Sequence, residues 1–176
     1  MIVGEMKYFK QFDIKFSTLR IGLHEFKIEI NKTFFLKHDN DEIKDADVEI
    51  LLKVNKQETM IIFDFDMKGS LTLSCDVCLE DLNYPIQTKE ELIVKLTQEH
   101  RESDDENIAY VSPNEHTYNI EQYIYEVLYA LVPMRKTHLD LNQACNELMI
   151  QYIEKTNQET SREMDPRWEA LKEIKL

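Results

Sequence analysis

The sequence predicts an α+β protein: an antiparallel sheet that curls towards a barrel, followed by two helices and a short C-terminal helix. Three observations predict it. Apolar residues alternate with period two through the first two-thirds of the 176 residues, and a helical period of about 3.6 takes over near residue 119. Between two of the strand-like runs lies Cys75-Asp-Val-Cys78, two of only three cysteines, in a tight connection.

Residues 7–16 read as a strand with Phe12, Ile14 and Phe16 on one face. Residues 23–30 repeat the pattern with Phe26, Ile28 and Ile30, after a turn at Gly22. The stretch 33–37 is too short to assign, and the polar run 38–42 reads as a loop. Two β-rich runs, 46–54 and 59–67, form a hairpin around 55–58. Gly69 reads as a break before a strand over 70–74, the cysteine turn, and a strand over 84–97 in which Leu92, Val94 and Leu96 alternate. Residues 98–107 hold no aliphatic or aromatic side chain and read as an exposed acidic loop.

The apolar stripe Ile120, Tyr123, Ile124, Val127, Leu128 and Leu131 is helical, with Asn119 as its cap, Gln122 in the capping-box position and Pro133 as its stop. A second helix is expected over 142–156, with Cys145, Leu148, Met149, Tyr152 and Ile153 on one face. Residues 157–164 read as a polar linker. Asp165, Pro166, Arg167, Trp168 and Leu171 then begin a terminal helix that docks its tryptophan on the body or presents it to a partner. The expected organisation is one α+β domain over 1–156, with linker and terminal helix over 157–176.

Composition narrows function. The chain begins without a basic-then-apolar leader and has no run of about 18 apolar residues, so the expectation is a soluble, cytoplasmic protein without membrane contact. An odd number of cysteines argues against a disulfide framework and leaves the thiols available for metal. The net charge of −13 disfavours phosphate contact, and no DNA partner is expected. Residues 1–37, however, hold seven basic against four acidic side chains. Lys7, Lys10, Lys15, Arg20, Lys27 and Lys32 are the candidate phosphate contacts, and the acidic remainder suits a basic protein partner such as a ribosomal protein. Three glycines supply no phosphate-binding loop, and there is no nucleophile elbow, so catalysis is not expected. A redox reading of the paired cysteines requires a helix directly after them, for which residues 79–85 leave little room.

Three motifs occur in a telling order: Cys75-Asp-Val-Cys78-Leu79-Glu80, the helix end Tyr125-Glu-Val-Leu-Tyr-Ala-Leu-Val-Pro133, and Asp165-Pro-Arg-Trp-Glu-Ala-Leu171. Together, from about residue 7 onward, they resemble the YceD family, the large ribosomal RNA subunit accumulation proteins, in a form like that of the Bacteroidetes. The resemblance implies a bacterial cytoplasmic protein needed for accumulation or processing of large-subunit ribosomal RNA, acting on that RNA or a precursor particle, without established catalysis. Many relatives carry a second Cys-x-x-Cys after the proline that ends the main helix. Here that region offers His138 and Cys145.

A structural zinc site takes four cysteine or histidine ligands, and Cys75, Cys78, His138 and Cys145 are the local set that supplies them. The alternatives are a Cys145 thiol simply buried on its helix and a solvated His138. Two functions follow: a non-enzymatic ribosome biogenesis factor, or a zinc-dependent or redox-responsive adaptor that never touches RNA.

Overall fold

The computed structural model describes residues 8–38, 40–98, 105 and 107–160. Phe12, Ile14 and Phe16 are buried, as their alternation requires, but the segment that carries them is not the expected single strand. It winds through two 3-10 turns, Lys10–Phe12 and Phe16–Thr18, and only β1 (Asp13–Ile14) is extended. The reason is Phe9, whose odd position would send it to the opposite side of a strand. The helical turn instead brings its ring to 6.0 Å from that of Phe12, which in turn lies 5.2 Å from Phe34.

Next come β2 (Gly22–Ile30), α1 (Lys32–Lys37), β3 (Asp45–Lys56), β4 (Met60–Ser74), β5 (Asp81–Leu96), β6 (Ile108–Val111), β7 (Tyr118–Asn119), α2 (Glu121–Ala130) and α3 (Glu147–Thr160). The stretch 33–37, too short to assign by pattern, is helical because Asn31 Oδ1 caps it by accepting from the Thr33 N–H at 2.9 Å. The sheet is open, in the order β2-β3-β4-β5-β6, and the barrel-like closure expected from the sequence is not formed. Its strands number five where closed barrels commonly use about eight, and the edge strand β6 is only four residues long. The pairs β2–β3 and β3–β4 are antiparallel, and β6 runs parallel to β5.

Gly69 is not a break. β4 runs through it, and the residue is a point of close approach: a Cβ there would lie 2.1 Å from the Asp47 carbonyl oxygen. Register sorts the sheet into two faces. Inward, Ile50, Leu52, Val54, Phe63 and Phe65 are fully buried and pack in one core with Phe12, Phe34, Phe35, Ile124 and Leu128. Outward, Lys27, Leu51 and Asp66 form one cross-strand row, Glu25, Lys53 and Asp64 the next, and Glu29, Glu49 and Lys68 another.

α2 begins one residue later than expected. Ile120 occupies the cap position, Asn119 Oδ1 still accepts from the Glu121 N–H at 2.9 Å, and Gln122 bonds forward to Glu126 rather than back to a cap. Glu121, though buried, takes two hydrogen bonds from Lys37 Nζ at 2.6 and 2.7 Å.

By contacts the chain divides into two units, one comprising 1–74 and 83–134 and the other 75–82 and 135–176. In the second, the expected helix from residue 142 starts only at Glu147. Asn142 adopts a left-handed conformation (φ 57°) that closes a 3-10 turn over His138–Leu141, and Asn146 Oδ1 takes the cap by accepting from the Leu148 and Met149 N–H groups. Met149 and Ile150 turn towards the core of this unit, whereas Leu148 and Tyr152 of the expected buried stripe are 75% and 68% exposed. α3 continues to Thr160, into the stretch read as linker. Most of the acidic loop over 98–107 lies outside the described residues. No helix among the described residues is long and apolar enough to cross a membrane.

Candidate metal centre

The second unit is built from two segments that meet at four side chains. The first is the connection between β4 and β5. The Cys75 N–H donates to the Glu80 carbonyl and the Leu79 N–H to the Cys75 carbonyl, both at 2.9 Å, and Leu79 adopts φ +61° to close the turn. This folding points the Cys78 and Val77 N–H groups at the Cys75 sulfur.

The second segment presents His138 from the 3-10 turn. Thr137 caps that turn, accepting from the Asp140 N–H at 3.2 Å while its hydroxyl donates to Asp140 Oδ2 at 2.6 Å. Asp76 ties the two segments together: its N–H donates to the Lys136 carbonyl at 2.7 Å, and its Oδ2 accepts from the Lys136 N–H at 2.6 Å. Asn146, besides capping α3, donates to Glu80 Oε1 at 2.6 Å.

Cys75, Cys78, His138 and Cys145 are all buried, and their ligand atoms lie within 4.8 Å of one another. The Cys75 and Cys145 sulfurs are 3.8 Å apart, Cys78 Sγ is 3.3 Å from His138 Nδ1, and Cys145 Sγ is 3.8 Å from the same nitrogen. Zinc bonds of about 2.3 Å to sulfur and about 2.0 Å to nitrogen imply tetrahedral edges of about 3.8 Å between sulfurs and about 3.5 Å between sulfur and nitrogen. These three separations are close to the edges a tetrahedral ion requires. His138 Nε2 faces the Asp81 carbonyl at 3.3 Å, an acceptor only, so that nitrogen carries the proton and Nδ1 offers its lone pair to the cluster.

The electrostatics agree. Burial opposes ionisation of the Cys75 thiol, but hydrogen bonds from the Cys78, Val77 and His138 backbones outweigh it and lower its pKa to about 6. Burial pushes Cys145 up to about 11, with Cys75 and Cys78 adding to the rise. One thiolate is accommodated at Cys75, and Cys145 beside it resists ionising. A divalent cation is the counter-charge that allows all three to ionise together. Three sulfurs and an imidazole select a borderline-soft ion over magnesium or calcium.

The other candidate residues are not brought together in this way. Lys10, Lys15, Arg20 and Lys32 are exposed at separate points ahead of β3. Lys27 is exposed on β2 but faces the acidic side of the sheet, 3.9 Å from Glu49. Lys7, Asp165, Pro166, Arg167, Trp168 and Leu171 lie outside the described residues. Sequence reasoning missed Asp76, Asp81, Thr137 and Asn146. Only Thr137-x-x-Asp140 left a recognisable trace, the spacing of a capping box.

No curated protein and no solved structure matches the chain. A family model does: that of the large ribosomal RNA subunit accumulation protein YceD matches residues 63–175.

Proposed function

Because the chain belongs to the YceD family, we propose that it supports accumulation of large-subunit ribosomal RNA in the cytoplasm as a binding factor and not as an enzyme. The observation that carries the mechanism is the buried Cys75, Cys78, His138 and Cys145 set. Zinc held by these four residues serves structure, since four protein ligands leave no position for water or substrate. The set also answers a packing need. Among the described residues, the buried apolar side chains of the second unit are Leu82 and the three cysteines, too little apolar material to hold two segments together without a metal. The exposed basic residues ahead of β3, Lys10, Lys15, Arg20 and Lys32, are the phosphate-facing candidates.

Two measurements test the reading. Protein purified without chelator is expected to hold about one zinc per chain, and a Cys75→Ser, Cys78→Ser double variant none; metal-free wild type would remove the structural-zinc role. In a strain lacking the gene, the ratio of large-subunit to small-subunit ribosomal RNA is expected to fall, with recovery on wild-type but not double-variant complementation. An unchanged ratio would remove the assembly role. Direct RNA contact requires particle association that weakens as salt rises. Association insensitive to salt would favour a protein-only adaptor.

A further inference from the structure

The outward face of the sheet in the first unit carries more acid than base, and it is not flat. A groove of about 310 Å³ opens over β3, β4 and β5, lined by Leu51, by the carboxylates Asp64, Asp66, Glu90 and Glu91, and by Lys53 and Lys89. Asp66 is already met by Lys68 at 3.5 Å and Lys89 at 3.6 Å. Asp64 and Glu91 make no side-chain ion pair among the described residues, although Lys53 stands directly across from Asp64. The groove thus offers carboxylates in want of a cation beside the half-buried apolar side chain of Leu51.

That combination discriminates between cations. An ammonium group is compact and strongly hydrated, whereas a guanidinium lies flat on apolar surface and bonds carboxylates through a planar fork. A phosphate backbone is repelled by the same charges. We propose that this groove is a docking site for an arginine-bearing segment of a basic protein. The partner class deepens the assembly role proposed above and rests on it for its biological setting, while binding itself is measured without RNA.

The probe is a fluorescein-labelled nine-residue peptide carrying three arginines among serines, titrated into the full chain at about 0.05 M salt alongside its lysine counterpart. The arginine peptide is expected to bind several-fold more tightly than the lysine peptide. An Asp64→Asn, Glu91→Gln variant is expected to lose at least five-fold in affinity for it. A charge-matched Glu147→Gln, Glu154→Gln variant on α3 is expected to retain wild-type affinity, with circular dichroism showing all three proteins folded. Equal binding of both peptides, or equal losses in the two variants, would reduce the effect to general attraction by a chain of net charge −13 and overturn the groove. An unaltered ribosomal RNA ratio in the deletion strain would remove the assembly role and leave the peptide result standing.

Discussion

Leu79 is a branched residue in a conformation that suits glycine, with φ +61° and a side chain 67% exposed. The turn requires that geometry, because only a chain reversing after Cys78 lets the Cys78 and Val77 N–H groups face the Cys75 sulfur. A left-handed L-residue costs about 1–2 kcal/mol, of which the added freedom of an unfolded glycine returns about 0.5–1 kcal/mol. Leu79→Gly is therefore expected to raise stability by about 0.5–1 kcal/mol with metal content unchanged. Thermal unfolding checks this, and a lower midpoint would show that the leucine side chain makes contacts that outweigh the strain. At position 138 the donor matters more than the ring. His138→Cys is expected to keep the metal and His138→Ala to weaken zinc affinity at least 10-fold, read by competition with a chromogenic chelator. The ligand identities were legible in the sequence because cysteine and histidine are scarce after residue 133. Their partners were not, since the Asp81 carbonyl and the Val77 and Cys78 N–H groups are backbone and leave no mark on residue type.

At the scale of elements, phase carries more information than composition. Phe65, Met67, Leu71 and Leu73 share one parity on both sides of Gly69, and all four are buried. A true break would have let the phase slip. Read that way, the glycine is a place inside one strand where a neighbouring backbone comes too near for any side chain. Gly69→Ala is expected to destabilise the sheet by about 3 kcal/mol or more, because its Cβ would meet the fixed Asp47 carbonyl at 2.1 Å rather than a flexible tip. Urea denaturation reads this directly. A near-neutral midpoint would mean that β3 can shift away from β4. The same logic explains the N-terminal segment, where Phe9 was out of phase with Phe12, Ile14 and Phe16 and a turn resolved the conflict. α3 was misread for a different reason. The expected stripe began at Cys145, which lies ahead of the Asn146 cap, and within the helix Met149 and Ile150 face inward while Leu148 and Tyr152 are exposed.

For the whole molecule, the two units hold themselves together by different means. The first has a continuous apolar core in which aromatic rings from the N-terminal segment and α1 pack with the sheet. Among the described residues, the second has only four buried apolar residues, three of them thiols. Metal removal should therefore act unevenly. Treatment with a strong chelator under reducing conditions is expected to bring the amides of residues 137–150 to fast hydrogen exchange while those of β3 and β4 stay protected. Loss of protection in both regions at once would show a single cooperative transition. Net acidity was plain from composition, but its concentration on one face of the sheet became visible only with the strand register, because alternation alone does not say which residues of different strands share a row.

Cys78 and His138 are 60 residues apart, and Cys75 and Cys145 are 70. A ribosome adding about 5–20 residues per second therefore finishes the first half of the centre roughly 3–12 s before it makes the imidazole that completes a third corner. Through that interval the nascent chain can offer an ion two sulfurs, a grip too weak to withhold it from other ligands. Under the zinc role proposed above, full coordination begins only after Cys145 has been joined, so metal capture would mark the end of a long stretch of synthesis, with the sheet strands already made.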